Sequence, residues 1–234
     1  MKQPEDATVR HRDTGASCDG APAGTSFDLF GTLVEVDRPS NPATAIATEL
    51  ESRGVTVPSD WEKRYRTPQI DIRASRELSL PDHVRAILAD CDALPTAPGP
   101  IHEAILAAFD SPVRTRDGAT SAVRAASDWG PVGILSNCSV PGLVARTLDR
   151  SVLDRDRFDT VVTSVACGWR KPDARAFEVA ANQLDVPVAE LLHVGDDPKT
   201  DGGATDAGAT ALLLEDVPLG EIPECITKSE SNWR

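Results

Sequence analysis

Lysine is scarce in this chain: it supplies five of the 24 basic residues, against 37 acidic residues of which 24 are aspartate, for a net charge of −13. Such an acid-rich, lysine-poor surface repels nucleic acid and anionic membrane, and its self-repulsion is best tolerated where salt screens it. The expected setting is a high-salt cytoplasm. Disulfide and zinc chemistry also lack material. Cys18, Cys91, Cys138, Cys167 and Cys225 are odd in number and form no CxxC or His-Cys cluster, which excludes a disulfide framework and points to a reducing cytosol. No apolar run approaches a membrane span, and the N-terminus has no signal-peptide core, so a soluble, unexported protein is expected. There is no internal repeat and no low-complexity tract.

What remains is an ordinary globular composition, 40% hydrophobic over 234 residues, enough for one sizeable core and a smaller insertion. Residues 1–22 hold almost no large apolar side chains and read as a flexible tail. Leu33 to Asp37 alternates with period two, as a small flap or hairpin does. Residues 39–111 read as helices without a strand. Pro42 follows Asn41 as an N1 proline, with a stop at Gly54. Ser59-Asp60-Trp61-Glu62 has capping-box spacing, and Pro68 should end the helix it opens. Pro81-Asp82-His83 opens a third helix, and Ile101 to Phe109 makes a fourth. From Val113 the chain resumes with a helix over 119–129. Short apolar runs at Val132–Leu135, Thr160–Thr163, Leu191–Val194 and Ala211–Leu214 then alternate with helical segments, the pattern of a parallel sheet covered on both faces. The expected fold is therefore α/β, a Rossmann-like parallel sheet core (23–38 and 112–222) carrying an inserted α-helical cap (39–111). A polar tail from 223 to 234 should fray.

The chemistry-bearing residues lie at the ends of those runs. In Ser26-Phe27-Asp28-Leu29-Phe30-Gly31-Thr32-Leu33, one carboxylate ends a buried strand just before a sharp turn, where open α/β sheets place reactive groups. Burying Asp28 there is costly unless a cation meets it. Ser136 and Asn137 end another strand with a hydroxyl, an amide and backbone N–H groups able to hold an anionic oxygen. Lys171, biased to extended backbone by Pro172, is a compact cation able to neutralise Asp28. Asp196, Asp197 and Asp201 crowd three carboxylates into six residues, which a hard cation such as Mg²⁺ would relieve. His193, on the strand before Gly195, reads as a packed core residue. Trp61 to Arg66, with Arg73 and Arg76 beyond, is the informative stretch of the helical insertion: its arginines, Arg64 among them, are able to clamp an anion bidentately, against the more ordinary reading of solvated helix charges.

These stretches, with Ile134-Leu135-Ser136-Asn137, Arg170-Lys171-Pro172-Asp173 and Val194-Gly195-Asp196-Asp197 through Asp201, resemble in order the four motifs of the haloacid dehalogenase superfamily. The resemblance implies a hydrolase with Asp28 as nucleophile and Ser136 and Lys171 as catalytic partners. It implies substrate contacts at Thr32, Ser136, Asn137 and Lys171, and a type 1 cap that closes over small soluble substrates. It also implies Mg²⁺ held by Asp28, the Phe30 backbone carbonyl, Asp196 and Asp201, with Asp201 alternatively a water-holder or the partner of Lys171.

Phe30 departs from the pattern. Most phosphatases of that superfamily carry a second Asp there, which protonates the leaving oxygen, whereas an aromatic resembles the 2-haloacid dehalogenases. Those enzymes, however, are metal-free and lack the GDxxxxD pattern that this chain keeps at Asp196 and Asp201. A Mg²⁺-dependent phosphatase of a small phosphorylated metabolite is the favoured reading, with water, Glu35 or Asp37 standing in as proton donor. A 2-haloacid dehalogenase and a catalytically weak binding member of the family are the alternatives.

Overall fold

The computed structural model describes residues 22–91, 95 and 99–231; the tail expected over 1–22 lies, apart from Pro22, outside them. A five-stranded parallel sheet forms the centre, in the order β5-β4-β1-β6-β7. Its strands are β1 (Gly24–Phe27), β4 (Val132–Ser136), β5 (Thr160–Thr163), β6 (Leu191–Gly195) and β7 (Thr210–Leu213). Strand β1 is central and wholly buried, paired with β4 on one side and β6 on the other. It reads weakly as a strand because it is short and polar, GTSF, yet its neighbours cover it from both edges. The ladder continues one residue further, the Asp28 N–H donating to the Val194 carbonyl at 2.9 Å. That bond fixes the nucleophile candidate at the carboxyl edge of the sheet.

Helices α5 (Ala119–Trp129), α6 (Leu143–Asp149), α7 (Ser164–Cys167) and α8 (Ala174–Gln183) connect the strands. The flap at β2 (Val34–Val36) is half of an antiparallel pair whose other strand, β3 (Val113–Thr115), the sequence pattern does not reveal. Glu35 faces Arg114 across the pair and forms an ion pair with it. Such cross-strand charge pairing specifies register without any apolar signal. The chain therefore leaves and returns to the sheet through adjacent strands.

Between β2 and β3 lie α1 (Pro42–Ser52), α2 (Trp61–Arg66), α3 (Leu80–Ala89) and α4 (Gly99–Ala108). Ile46 and Leu50 of α1 bury with Val84, Ile87 and Leu88 of α3 and Ile101 and Ile105 of α4. Asn41 caps α1 ahead of Pro42. The capping box expected at Ser59 does not form. Asp60, not Ser59, occupies the N-cap of α2 and makes no side-chain capping bond, its carboxylate accepting from Arg64 Nε at 2.7 Å, while Glu62 accepts from Asn41 Nδ2 at 2.9 Å and Thr44 Oγ1 at 3.0 Å. A tertiary tie between α1 and α2 has taken the carboxylate that the local motif would use.

The chain after 222 is not a frayed tail over its described length. Helix α9 (Ile222–Ser231) forms there, with Ile222 and Ile226 buried four residues apart on one face. Among the described residues no helix is long and apolar enough to cross a membrane. Net charge makes one expectation for the whole molecule: its melting temperature should rise between low and multimolar KCl, as screening relieves the excess of 37 acidic over 24 basic groups. Equal melting temperatures at both salts would count against a high-salt setting.

Candidate active site

Four sheet-edge segments converge on Asp28. The turn that follows it needs Gly31, whose φ of +95° suits glycine and where a Cβ would press into the Asp196 carboxylate. Arg116 clamps this turn, its guanidinium donating to the Gly31 carbonyl. Thr32 is buried and donates its hydroxyl to Asp196 Oδ1 at 2.7 Å. The hydroxyl expected to face substrate thus orients a carboxylate.

Lys171 lies between two acids. Its Nζ stands 3.0 Å from Asp28 Oδ1 and 2.5 Å from Asp201 Oδ1, and its side chain is 1% exposed. Asn137 places it: the Asn137 amide donates to the Lys171 carbonyl and its oxygen accepts the Lys171 N–H, both at 2.9 Å. With both ends of its amide bonded to backbone, Asn137 positions Lys171. Burial works against the Lys171 ammonium, but Asp28 and Asp201 outweigh it and raise its pKa. At Asp28 burial wins, raising the carboxyl above its ordinary value despite Lys171, with Asp201 adding to the rise.

Asp201 is fully engaged. Oδ1 accepts from Lys171 and, at 3.0 Å, from His193 Nε2, while Oδ2 accepts the Asp197 N–H at 3.0 Å. Burial alone would raise its pKa, yet the His193 hydrogen bond and the Lys171 charge together lower it. A carboxylate only accepts, so the His193 proton resides on Nε2, and bare Nδ1 accepts the Ser26 hydroxyl at 2.8 Å. Burial first, then the Lys171 charge, depress the His193 pKa to about 4, keeping it neutral. The core residue read from the sequence is therefore also a polar strut between β1 and Asp201. Gly195 is required beside it, since a Cβ there would overlap the Asp201 carboxylate.

Ser136 closes the opposite side at the end of β4. It is 1% exposed and among the described residues its Oγ has no hydrogen-bond partner, an unmade bond that a ligand oxygen would satisfy. Carboxylate oxygens of Asp28, Asp196 and Asp201 come within 4.8 Å of one another. The donor set is oxygen-only and suits a hard cation, with Asp28 and Asp196 the freer ligands and Asp201 held back by Lys171 and His193.

Arg64 is elsewhere engaged. Asp60 and Asp90 bind it at 2.7 and 2.5 Å within the helical insertion, so the structure gives it to those acids and not to a substrate anion. A different stretch of the insertion reaches the site. Ser75 accepts the Arg170 N–H at 3.0 Å, and Arg76 bridges Trp169. Glu77, its side chain only 4% exposed, accepts from Arg170 at 2.8 Å and from Ser164 Oγ at 2.5 Å. That same Ser164 oxygen accepts the Cys138 N–H at 2.8 Å. The contacts of Glu77 with Arg170 and Ser164 span 93 and 87 residues of sequence and have no local signature.

The model of the haloacid dehalogenase-like hydrolases matches residues 26–208, well over half of the chain. The protein belongs to that family. This hydrolase is 34% identical over 107 residues to the 5-amino-6-(5-phospho-D-ribitylamino)uracil phosphatase YigB of Escherichia coli K12, which covers 45% of this chain and 40% of that protein. It is 32% identical over 125 residues to the pyrimidine 5'-nucleotidase YjjG of the same organism, across 52% of this chain and 55% of that one. The matches thus span about half or less of those relatives' length. Among solved structures, a 2-haloacid dehalogenase from Pseudomonas syringae pv. Tomato DC3000 superposes with a TM-score of 0.60 at 20% identity, over 90% of this chain and 98% of that one. That likeness concerns the fold.

Proposed function

We propose that this haloacid dehalogenase-like hydrolase is a Mg²⁺-dependent phosphatase of small phosphorylated metabolites with good leaving groups, and that residues 39–111 are its cap. One observation carries the reading. Asp28, Asp196 and Asp201 crowd together with one ammonium, Lys171, between two of them, leaving an excess of two negative charges that a divalent cation balances. Asp28, Asp196 and the Phe30 carbonyl would hold the ion directly, with Asp201 behind Lys171. When bound, Mg²⁺ offsets the charge of the phosphoryl oxygens as Asp28 approaches them. The names of the curated relatives, a phosphatase and a nucleotidase, support phosphoryl chemistry.

Asp28 Oδ attacks phosphorus, and the bond from phosphorus to the leaving oxygen breaks as the aspartyl phosphate forms. Lys171 and the unpartnered Ser136 hydroxyl hold the equatorial oxygens. Water then attacks phosphorus, releasing phosphate and restoring the Asp28 carboxylate. Phe30 offers no proton to the leaving oxygen. Glu35 is held by Arg114 and Arg116, so it is a poor substitute; Asp37 lies exposed on a cleft that Phe30 also lines.

The second reading, a 2-haloacid dehalogenase acting at carbon through an ester of Asp28, rests on Phe30 alone. Aryl and alkyl phosphates graded by leaving-group pKa, assayed with Mg²⁺ or EDTA beside halide release from a 2-haloacid, separate the two. Rates should require the metal and fall steeply as the leaving-group pKa rises. Phe30→Asp should raise alkyl phosphate turnover by roughly 10²- to 10⁴-fold, the usual contribution of a general acid. Metal-independent halide release, with no phosphatase activity above an Asp28→Asn control, would promote the dehalogenase.

A further inference from the structure

A cleft of about 150 Å³ opens beside the catalytic floor, lined by Phe30, Arg38, Asn137, Cys138, Val140 and Leu143 among others. It adjoins the site through two of its walls, since Phe30 is two residues beyond Asp28 and Asn137 is next to Ser136. Its volume is comparable to that of a cavity that takes up benzene, the scale of a small ring.

The charge of this cleft runs against that of the molecule. In a chain of net charge −13 its lining holds three arginines, Arg38, Arg146 and Arg150, against two acids, Asp37 and Asp110. Asp110 is taken up by the two helix arginines, accepting from Arg146 Nη2 at 2.9 Å and also from Arg150. No ion pair engages Arg38 among the described residues; its guanidinium carbon stands 5.8 Å from the centroid of the Phe30 ring. Phe30, Val140 and Leu143 give the cleft an apolar lining, and Arg38 a planar donor fork at its side.

We propose that this cleft is the leaving-group subsite, and that it selects phosphate monoesters whose leaving group is a small apolar body bearing one carboxylate, recognised by Arg38. The inference rests on the phosphatase reading above. A single negative charge matches the excess of one cation in the lining, and a carboxylate matches the bidentate geometry of the fork. Phe30 then has a positive role. Where an acid would protonate an alkoxide, the ring packs on a leaving group that departs unaided.

The test compares 3-carboxyphenyl phosphate with 3-carbamoylphenyl phosphate, which differ in one charge at similar ring electronics. The wild-type enzyme should favour the carboxylate about tenfold or more in kcat/KM, chiefly through KM, as expected for a charge-assisted hydrogen bond. Arg38→Gln should bring the ratio close to one and Arg38→Lys should restore part of it. Arg124→Gln, which removes the same charge from the exposed face of α5 outside the cleft, should keep the wild-type ratio. Calorimetry of 3-hydroxybenzoate against 3-hydroxybenzamide decides the subsite even without turnover. Preferential binding of the carboxylate, lost in Arg38→Gln, supports the subsite even if neither ester is hydrolysed, in which case the phosphatase reading alone fails. Equal binding of the two, or a preference that survives Arg38→Gln, overturns the subsite.

Discussion

Asp28→Asn should reduce Mg²⁺-dependent phosphatase turnover by at least about 10⁴-fold while leaving the protein folded. An amide does not attack phosphorus, and removing the nucleophile from a cooperating set costs most of what the set contributes together. Folding should survive because the Asn oxygen still accepts from Lys171, and Asp201 still balances that ammonium at 2.5 Å. The substitution also removes a carboxyl whose pKa burial already pushes up, so a small gain in stability is expected. Steady-state rates, with intact mass measured on the same sample, check this. Mass matters because slow deamidation would regenerate Asp28 and mimic residual activity. Turnover above about one per cent of wild type in protein of unchanged mass would remove Asp28 from the nucleophile's place.

That prediction was reachable from the sequence because Asp28, Ser136 and Asp196 each sit at or just past an apolar run, and strand ends of a parallel sheet meet at one edge; Lys171, which lies past β5 with α7 in between, was reachable through its motif and not through a strand end. Periodicity found the helices of the insertion for the same reason: their apolar faces are local patterns. What stayed hidden was the pairing of polar groups over long separations. Nothing local to Asn137 says that its amide is spent on the Lys171 backbone, or that Thr32 serves Asp196. The Glu77 contacts with Arg170 and Ser164 cross 93 and 87 residues of chain. Arg64 has the chemistry of an anion clamp, but Asp60 and Asp90 already bind it. Strand β3 and the start of α2 were obscured likewise, one held by a cross-strand ion pair and the other set one residue later than its local motif, with Glu62 drawn to Asn41 and Thr44. Charge composition reports on solvent and partners, while the destination of each charge is decided by packing.

Lys171→Met should destabilise the metal-free protein by about 3–5 kcal/mol, the range for removing one partner of a buried ionic cluster. The side chains of Lys171, Asp28 and Asp201 are 1%, 11% and 2% exposed, so little water replaces the lost ammonium. Methionine keeps most of the volume, and the loss is therefore electrostatic and not a cavity effect. The pH dependence separates this cause from a packing defect. Without Lys171, Asp28 stands buried beside Asp201 with no cation to meet it, and its folded-state pKa rises further above that of the unfolded chain. The folded state then binds more protons than the unfolded one, so stability falls as pH rises between the unfolded and folded values. The variant's deficit should accordingly be larger at pH 8 than at pH 5 when unfolding is followed by denaturant in EDTA and high salt. Asp201→Asn added to Lys171→Met should recover part of the deficit, because one of the stranded charges is gone. A deficit independent of pH, or a double variant no better than the single, would mean that Lys171 is not the charge on which this site is built.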